Sequence, residues 1–71
     1  MNKQIRYSMH AIQRMLERDI SEKDVEKTIR NPDYTKTSFE ERKVAVKRFN
    51  GKIINAVYTE KETYITVITI Y

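Results

Sequence analysis

The dipeptide Asn31-Pro32 divides the chain into two parts with different hydrophobic periods. Before it, apolar residues recur every three or four positions, which is typical of amphipathic helices. After it, β-branched and aromatic residues follow one another in short runs that favour strands. Because a proline disfavours helical geometry in the residue before it, the helical part is predicted to end at Asn31.

Two helices are predicted before this boundary, each with a serine as its N-cap. Ser8 precedes the first helix, and Ser21 precedes the second. On the first helix we expect these residues to form the core side, with Ala11 at its edge: Met9, Ile12, Met15 and Leu16. The second helix has a narrow apolar stripe of Val25 and Ile29.

The dipeptide Asn50-Gly51 is the strongest hairpin signal in the sequence, because both residues tolerate the positive φ of a type I′ turn. It predicts that Phe49 lies opposite Lys52. Weaker signals predict an edge strand over residues 34–39 and a last strand over residues 63–71. The turn at 60–62 can have two or three residues, so the sequence leaves open how the last strand pairs with the one before it. The predicted fold class is α+β: two N-terminal helices packed on a three- to four-stranded antiparallel β meander, as a single domain of residues 1–71.

This register assigns the side chains of the hairpin to two faces. One face, which we expect to be open, basic and partly aromatic, carries Lys43, Ala45, Lys47, Phe49, Lys52, Ile54, Ala56 and Tyr58. The other face, which we expect to pack against the helices, carries Val44, Val46, Arg48, Ile53, Asn55 and Val57.

Composition excludes several classes of site. The chain has no cysteine and a single histidine, which excludes disulfides and thiolate metal sites and argues against a zinc site, so no metal and no cofactor are expected. Residues 1–7 carry Lys3 and Arg6 without an apolar run, which predicts neither a signal peptide nor a membrane anchor and fits a cytoplasmic protein. The net charge is +4, with basic segments at 1–18 and 42–52 around an acidic one.

Three potentially cationic side chains stand four residues apart on the first helix: His10, Arg14 and Arg18. We call this set the basic row. Like charges at this spacing repel by a few tenths of a kcal/mol per pair, so the row contributes no stability of its own and indicates an anionic partner. The alternative is a solvated helix face, or arginines paired with carboxylates of the sheet.

Metal-free cleavage of RNA needs a base for the 2′-hydroxyl, an acid for the leaving 5′-oxygen and cations for the charged phosphorane. Histidine titrates near neutrality, arginine binds phosphate through two parallel hydrogen bonds, and tyrosine donates a proton or stacks on a base. The chain contains all three residue types. It has neither a glycine-rich phosphate loop nor a nucleophile elbow.

The segment from His10 to Ser21, HAIQRMLERDIS, resembles the opening motif of the domain-of-unknown-function family DUF4258. The resemblance continues through Asn31-Pro32, the Phe49-Asn50-Gly51-Lys52 turn and Val67-Ile68-Thr69. The family is similar to BrnT toxins and, more remotely, to RelE-like and barnase-like ribonucleases. This similarity implies helices on an antiparallel sheet, RNA as the substrate and often a cognate antitoxin.

The resemblance also implies roles for individual residues. The basic row matches polar positions of the family, and Thr69 and Tyr71 match the region where such nucleases often keep a catalytic or phosphate-binding residue. Many relatives carry a basic residue near the end of that strand, whereas this chain has Tyr71 there.

The leading hypothesis is therefore a metal-independent endoribonuclease toxin of a toxin–antitoxin system. Its expected catalytic residues are His10, Arg14, Arg18 and Tyr71, and its expected RNA-binding residues are Lys43, Lys47, Tyr58 and Thr69. One alternative is a non-catalytic module that binds RNA or a protein. Another makes His10 structural, through a hydrogen bond to a strand backbone. An exposed strand edge at residues 63–71 would favour homodimers or strand addition by a partner.

Overall fold

A computed structural model describes residues 3–38 and 40–71 of the chain; Met1, Asn2 and Phe39 lie outside the described residues. The α+β class and the two helices are confirmed. The elements in chain order are β1 (Gln4–Tyr7), α1 (Met9–Arg18), α2 (Glu22–Arg30), β2 (Tyr34–Thr37), β3 (Lys43–Phe49), β4 (Lys52–Glu60) and β5 (Tyr64–Ile70). No helix in these ranges is both long and apolar enough to cross a membrane.

The sheet differs from the predicted meander in strand number and in direction. It has five strands in the order β1-β5-β4-β3-β2, and β1 runs parallel to β5. The sequence did not predict β1, because a four-residue strand with only Ile5 and Tyr7 partly buried has too short an alternation to stand out. Since β1 pairs with β5, the edge predicted at residues 63–71 is not exposed; the edges are β1 and β2.

The central hairpin is confirmed residue for residue. Phe49 pairs with Lys52, and Lys43 pairs with Tyr58. Asn50 and Gly51 have φ values of 42° and 85°, the positive values that a type I′ turn requires. Its side chains therefore lie on the two faces that the sequence defines.

The prediction of which hairpin face packs against the helices was wrong. The core includes Ala45, Ile54, Ala56 and Tyr58 together with side chains of both helices, and it leaves out Val44 and Val46. The small alanines allow helices to approach the sheet closely. Two lysines on this face have polar partners: Lys43 donates to the Glu60 carboxylate and Lys47 to the Asn31 carbonyl, as long flexible side chains allow.

The face opposite the helices is called the open face below. On the hairpin it carries Val44, Val46, Arg48, Ile53, Asn55 and Val57. Both helices pack on the other side, through contacts of α1 with β5 and of α2 with β3 and β4.

A β-bulge settles the register of β5 that the sequence left open. Tyr58 pairs with Val67 whereas Val57 pairs with Thr69, so Ile68 has no opposite residue on β4. An extra residue reverses the alternation of a strand beyond it. Val67 before the bulge and Ile70 after it can therefore both be buried in the same core.

Helix α1 is rotated relative to the prediction. Ala11 and Met15 are buried, as is Ile20 beyond the helix. Three residues predicted for the core side are instead exposed: Met9 (84%), Ile12 (43%) and Leu16 (78%). The helix packs on β5 through the side that carries Ala11 and Met15, which turns Met9 and Leu16 toward solvent.

Ser8 connects α1 to the bulge of β5. Its backbone N–H donates to the Val67 carbonyl at 3.0 Å, and its hydroxyl donates to the Ile68 carbonyl at 2.7 Å. The same hydroxyl oxygen accepts the N–H of Ala11 at 3.0 Å as the N-cap of the helix. One side chain thus both caps α1 and holds it on the sheet.

Ser8→Ala should lower the free energy of unfolding by about 2 kcal/mol, from a lost cap of about 1 kcal/mol and a lost hydrogen bond of similar value. Ser21→Ala is the matched control, because Ser21 caps α2 by accepting the Asp24 N–H and is otherwise exposed. It should cost about 1 kcal/mol. Urea titration of both variants measures the difference. Equal losses would contradict the anchoring role of Ser8.

Candidate functional site

The basic row lies on the exposed side of α1. His10 and Arg18 are exposed, and Arg14 is partly buried. The helix begins at the Ser8 cap and ends at Asp19, which adopts a left-handed conformation (φ 55°, ψ 48°) and closes the last turn. Both ends are thus held, so the three side chains project from a defined helix rather than from a loop.

Two members of the basic row are in contact. Arg14 Nε donates to His10 Nε2 at 3.5 Å, a long hydrogen bond in which the imidazole nitrogen is the acceptor. Arg14 Nη1 also lies 3.8 Å from a carboxylate oxygen of Glu17. Within residues 3–38 and 40–71, no carboxylate forms an ion pair with Arg18, and His10 makes no hydrogen bond to a strand backbone.

The lysines predicted to bind RNA lie on the helix side of the sheet and have protein partners. Lys47 Nζ donates to the Asn31 carbonyl at 2.8 Å and lies 3.7 Å from the Asp33 carboxylate. Lys43 Nζ bonds the Glu60 carboxylate at 3.2 Å. Neither lysine contacts the basic row.

Tyr58, predicted to stack on a base or donate a proton, is only 6% exposed and belongs to the core. Burial raises the pKa of its hydroxyl, an effect that Lys43 opposes and Glu60 reinforces. A tyrosine with a raised pKa is a weaker proton donor than a solvated one.

Thr69 and Tyr71 lie on the open face. Thr69 pairs with Val57, and Tyr71 exchanges two backbone hydrogen bonds with Asn55, at 3.0 and 3.1 Å. Residues opposite one another in a ladder share a face, so these side chains are on the side of the sheet away from α1. The structure therefore brings His10 and Arg14 together but leaves Tyr71 across the sheet from them.

A second polar cluster surrounds Glu60, a residue that was predicted from the sequence to lie in a turn. The structure extends β4 to Glu60, whose carboxylate bonds Lys3 Nζ at 2.8 Å and Lys43 Nζ at 3.2 Å. These side chains line a cavity of about 610 Å³ at one end of the sheet. No local pattern could reveal the cluster, because its members are distant in sequence and meet only through strand pairing.

The two ammonium groups lower the pKa of the Glu60 carboxyl below its ordinary value, mainly by hydrogen bonding from Lys3 and then Lys43. A lowered pKa in the folded state stabilises the fold above the unfolded pKa, and this contribution is lost as the pH falls through the folded pKa. The carboxylate is thus ionised at neutral pH, where it joins the start of β1 to β3 and β4.

Glu60→Gln should therefore lower the free energy of unfolding at pH 7 by about 1 kcal/mol or less, as is usual for partly exposed ion pairs. The deficit should shrink as the pH is lowered from 7 to 3, because below the ordinary pKa of a glutamate the unfolded state binds a proton that the folded carboxylate does not. Denaturant titrations at both pH values test this. Glu62→Gln is the control, since Glu62 forms no ion pair within the described ranges. A deficit of equal size at both pH values would contradict the electrostatic origin.

Chemically, the basic row offers an imidazole and two guanidinium groups from one exposed helix surface. Guanidinium groups bind phosphate oxygens without losing charge near neutrality, and imidazole accepts or donates a proton there. This set suits a phosphodiester better than the Glu60 cluster does, because the Glu60 carboxylate already occupies its two lysines.

Comparison with known proteins places the chain in a family. The family model described as a domain of unknown function, DUF4258, matches residues 7–71, a span that contains both helices, β2 to β5 and the whole basic row. Neither a search of curated proteins nor a search of solved structures gave a match. Because the matched span covers most of its length, the chain belongs to the DUF4258 family.

Proposed function

We propose that this protein is a metal-independent endoribonuclease of the toxin type that cleaves RNA at the basic row. The observation that carries the proposal is the contact of His10 Nε2 with Arg14 on an exposed helix surface that also carries Arg18. A proton acceptor thus lies beside one phosphate-binding group, and a second follows one turn further along the same helix. The similarity of the family to BrnT toxins, drawn from the sequence motif, adds support.

The proposed reaction is an internal transfer at one phosphodiester. His10 accepts the proton of the 2′-hydroxyl while the 2′-oxygen forms a bond to phosphorus. The bond from phosphorus to the 5′-oxygen breaks, and the leaving oxygen takes a proton from water or from the imidazolium. The products are a 2′,3′-cyclic phosphate and a 5′-hydroxyl, so no metal or cofactor is consumed.

The arginines supply the electrostatic part of the mechanism. Negative charge on the non-bridging oxygens grows as the phosphorane forms, and guanidinium groups stabilise it most when they are already in position. Arg18 has no carboxylate partner in the described part of the chain, so it can bind phosphate without first breaking an ion pair. Arg14 has to exchange only a weak contact with Glu17.

His10→Ala should slow cleavage of a single-stranded RNA in EDTA about 10²- to 10⁴-fold, as expected for loss of a general base. Arg18→Ala should slow it about 10²-fold or more, as expected for loss of one charge-stabilising group. Cleavage is followed by separating labelled fragments and by detecting the cyclic phosphate end. Lys27→Ala, which removes an exposed cation from α2, is the matched control and should retain activity.

The outcomes separate the leading hypothesis from its alternatives. Intact RNA in EDTA, together with growth that His10→Ala does not change on induced expression, would refute the nuclease. RNA affinity that falls steeply with salt but yields no products would favour the non-catalytic module instead. Equal melting temperatures of His10→Ala and the wild type would confirm that the imidazole is not a structural anchor.

An exposed apolar stripe on α1 supports the toxin part of the proposal. Met9, Ile12 and Leu16 are 84%, 43% and 78% exposed, and they follow one another along one side of the helix. Apolar side chains grouped in this way commonly mark a protein interface. An antitoxin with an apolar surface would cover the stripe. The basic row lies on a different side of α1, so carboxylates that neutralise it would belong to a segment that extends around the helix.

A double variant, Met9→Glu with Leu16→Glu, should lose this partner and keep ribonuclease activity, because both side chains are exposed on a different side of α1 from the basic row. The measurement is co-purification, from the native host, of a small protein that inhibits cleavage when it is added back. Lys23→Glu with Lys27→Glu, on exposed positions of α2, is the control and should retain the partner. Retention of the inhibitor by the stripe variant would contradict the assignment.

A further inference from the structure

The open face of the sheet is uncovered although it is not uniformly polar. Both helices pack on the opposite side, and no described element crosses this face. Its centre is apolar, with Val44 and Val46 nearly buried among their neighbours and Val57 partly buried beside them. Arginine and tyrosine side chains lie on either side of this centre.

One flank is formed by β1 and β5. The Cζ atom of the Arg6 guanidinium lies 4.0 Å from the centroid of the Tyr64 ring, a cation–π contact that holds the guanidinium against the ring. The outer surface of a stacked guanidinium is a platform on which a nucleic-acid base can stack in turn. Arg6 also pairs with Thr66, whose hydroxyl adds a hydrogen-bonding group to the same flank.

The other flank is formed by β2 and β3. Tyr34 is 56% exposed and pairs with Val46, so its ring lies over the open face. Together with Arg48 and Ile53 it lines a shallow depression. Lys36, opposite Val44, adds a third cation to this face.

The charges of the open face have one sign. Arg6, Lys36 and Arg48 lie on it, and within the described strands no aspartate or glutamate side chain shares it. Asp33, just before β2, lines the same depression as Tyr34, but its carboxylate accepts the Arg48 backbone N–H at 2.9 Å and lies 3.7 Å from the Lys47 amine. A second copy of this chain would bring like charges together, whereas a polyanion would neutralise them.

We infer that the open face is a second RNA-binding surface, which takes single-stranded RNA across the sheet. The choice of RNA over other polyanions rests on the proposed function. Across the sheet, Tyr34 on β2 lies three strand spacings from Tyr64 and four from Arg6, which is about 14–19 Å at about 4.8 Å per spacing. RNA-binding sheets of similar width stack two or three bases on exposed rings. A duplex has no bases free for such stacking, because its bases already stack on each other.

The experiment uses a fluorescent single-stranded oligonucleotide of 2′-O-methyl RNA, which cannot be cleaved because it lacks a free 2′-hydroxyl. Tyr34→Ala and Arg6→Ala should each weaken its binding about 5- to 100-fold, as for the loss of one stacking contact. Leu16→Ala and Lys27→Ala remove an exposed apolar side chain and an exposed cation on the helix side, and both should bind as the wild type does. Circular dichroism checks that every variant is folded.

The binding measurement is independent of cleavage. If His10→Ala abolishes cleavage of natural RNA and binds the inert oligonucleotide with wild-type affinity, both proposals stand. If no RNA is cleaved but the open-face variants lose binding, the nuclease fails and this surface stands. Wild-type binding by Tyr34→Ala and Arg6→Ala, equal affinity for a duplex of the same sequence, or no binding by the wild type would each overturn the inference.

Discussion

The contact between Ser8 and the bulge of β5 determines how most of the molecule is arranged. The bulge leaves Ile68 without a partner on β4, and its carbonyl accepts the Ser8 hydroxyl at 2.7 Å. Ser8 is also the link between β1 and α1, so the same contact ends the parallel strand and starts the helix. A hydroxyl that donates to the sheet and accepts from the helix fixes both where α1 begins and how it is rotated.

That rotation decides which side chains of α1 meet solvent. With Ala11 and Met15 directed at β5, the basic row and the apolar stripe are both left exposed, on different sides of the same helix. A helix turned to bury Leu16 would gain apolar burial for α1 but would lose the close approach that Ala11 allows. The fold thus retains exposed methionine and leucine side chains, which cost solubility unless a partner covers them.

Local signals predicted much of this fold, and long-range contacts account for what they missed. Asn50-Gly51 specified the hairpin register, because positive φ at two successive residues admits few alternatives. Strand β1 could not be foreseen, since it depends on pairing between residues sixty positions apart. The bulge could not be foreseen either, since it is a property of how β4 and β5 pair and no turn residue marks it. The face of the hairpin that packs against the helices was predicted wrongly for a different reason. Lys47 made its face look solvent-exposed, but its long side chain lets the amine reach the Asn31 carbonyl at the edge of the core.

The candidate site, like the fold, was predicted correctly where local spacing decides and not where strand pairing decides. Spacing alone grouped His10, Arg14 and Arg18, because side chains four apart on a helix lie along one side. Spacing could not place Tyr71 relative to them, since one extra residue in β5 decides which face the end of that strand presents. The bulge that anchors α1 therefore also sends Tyr71 to the open face. The same irregularity of one strand separates the basic row, a surface suited to phosphate chemistry, from the open face, a surface suited to stacking bases.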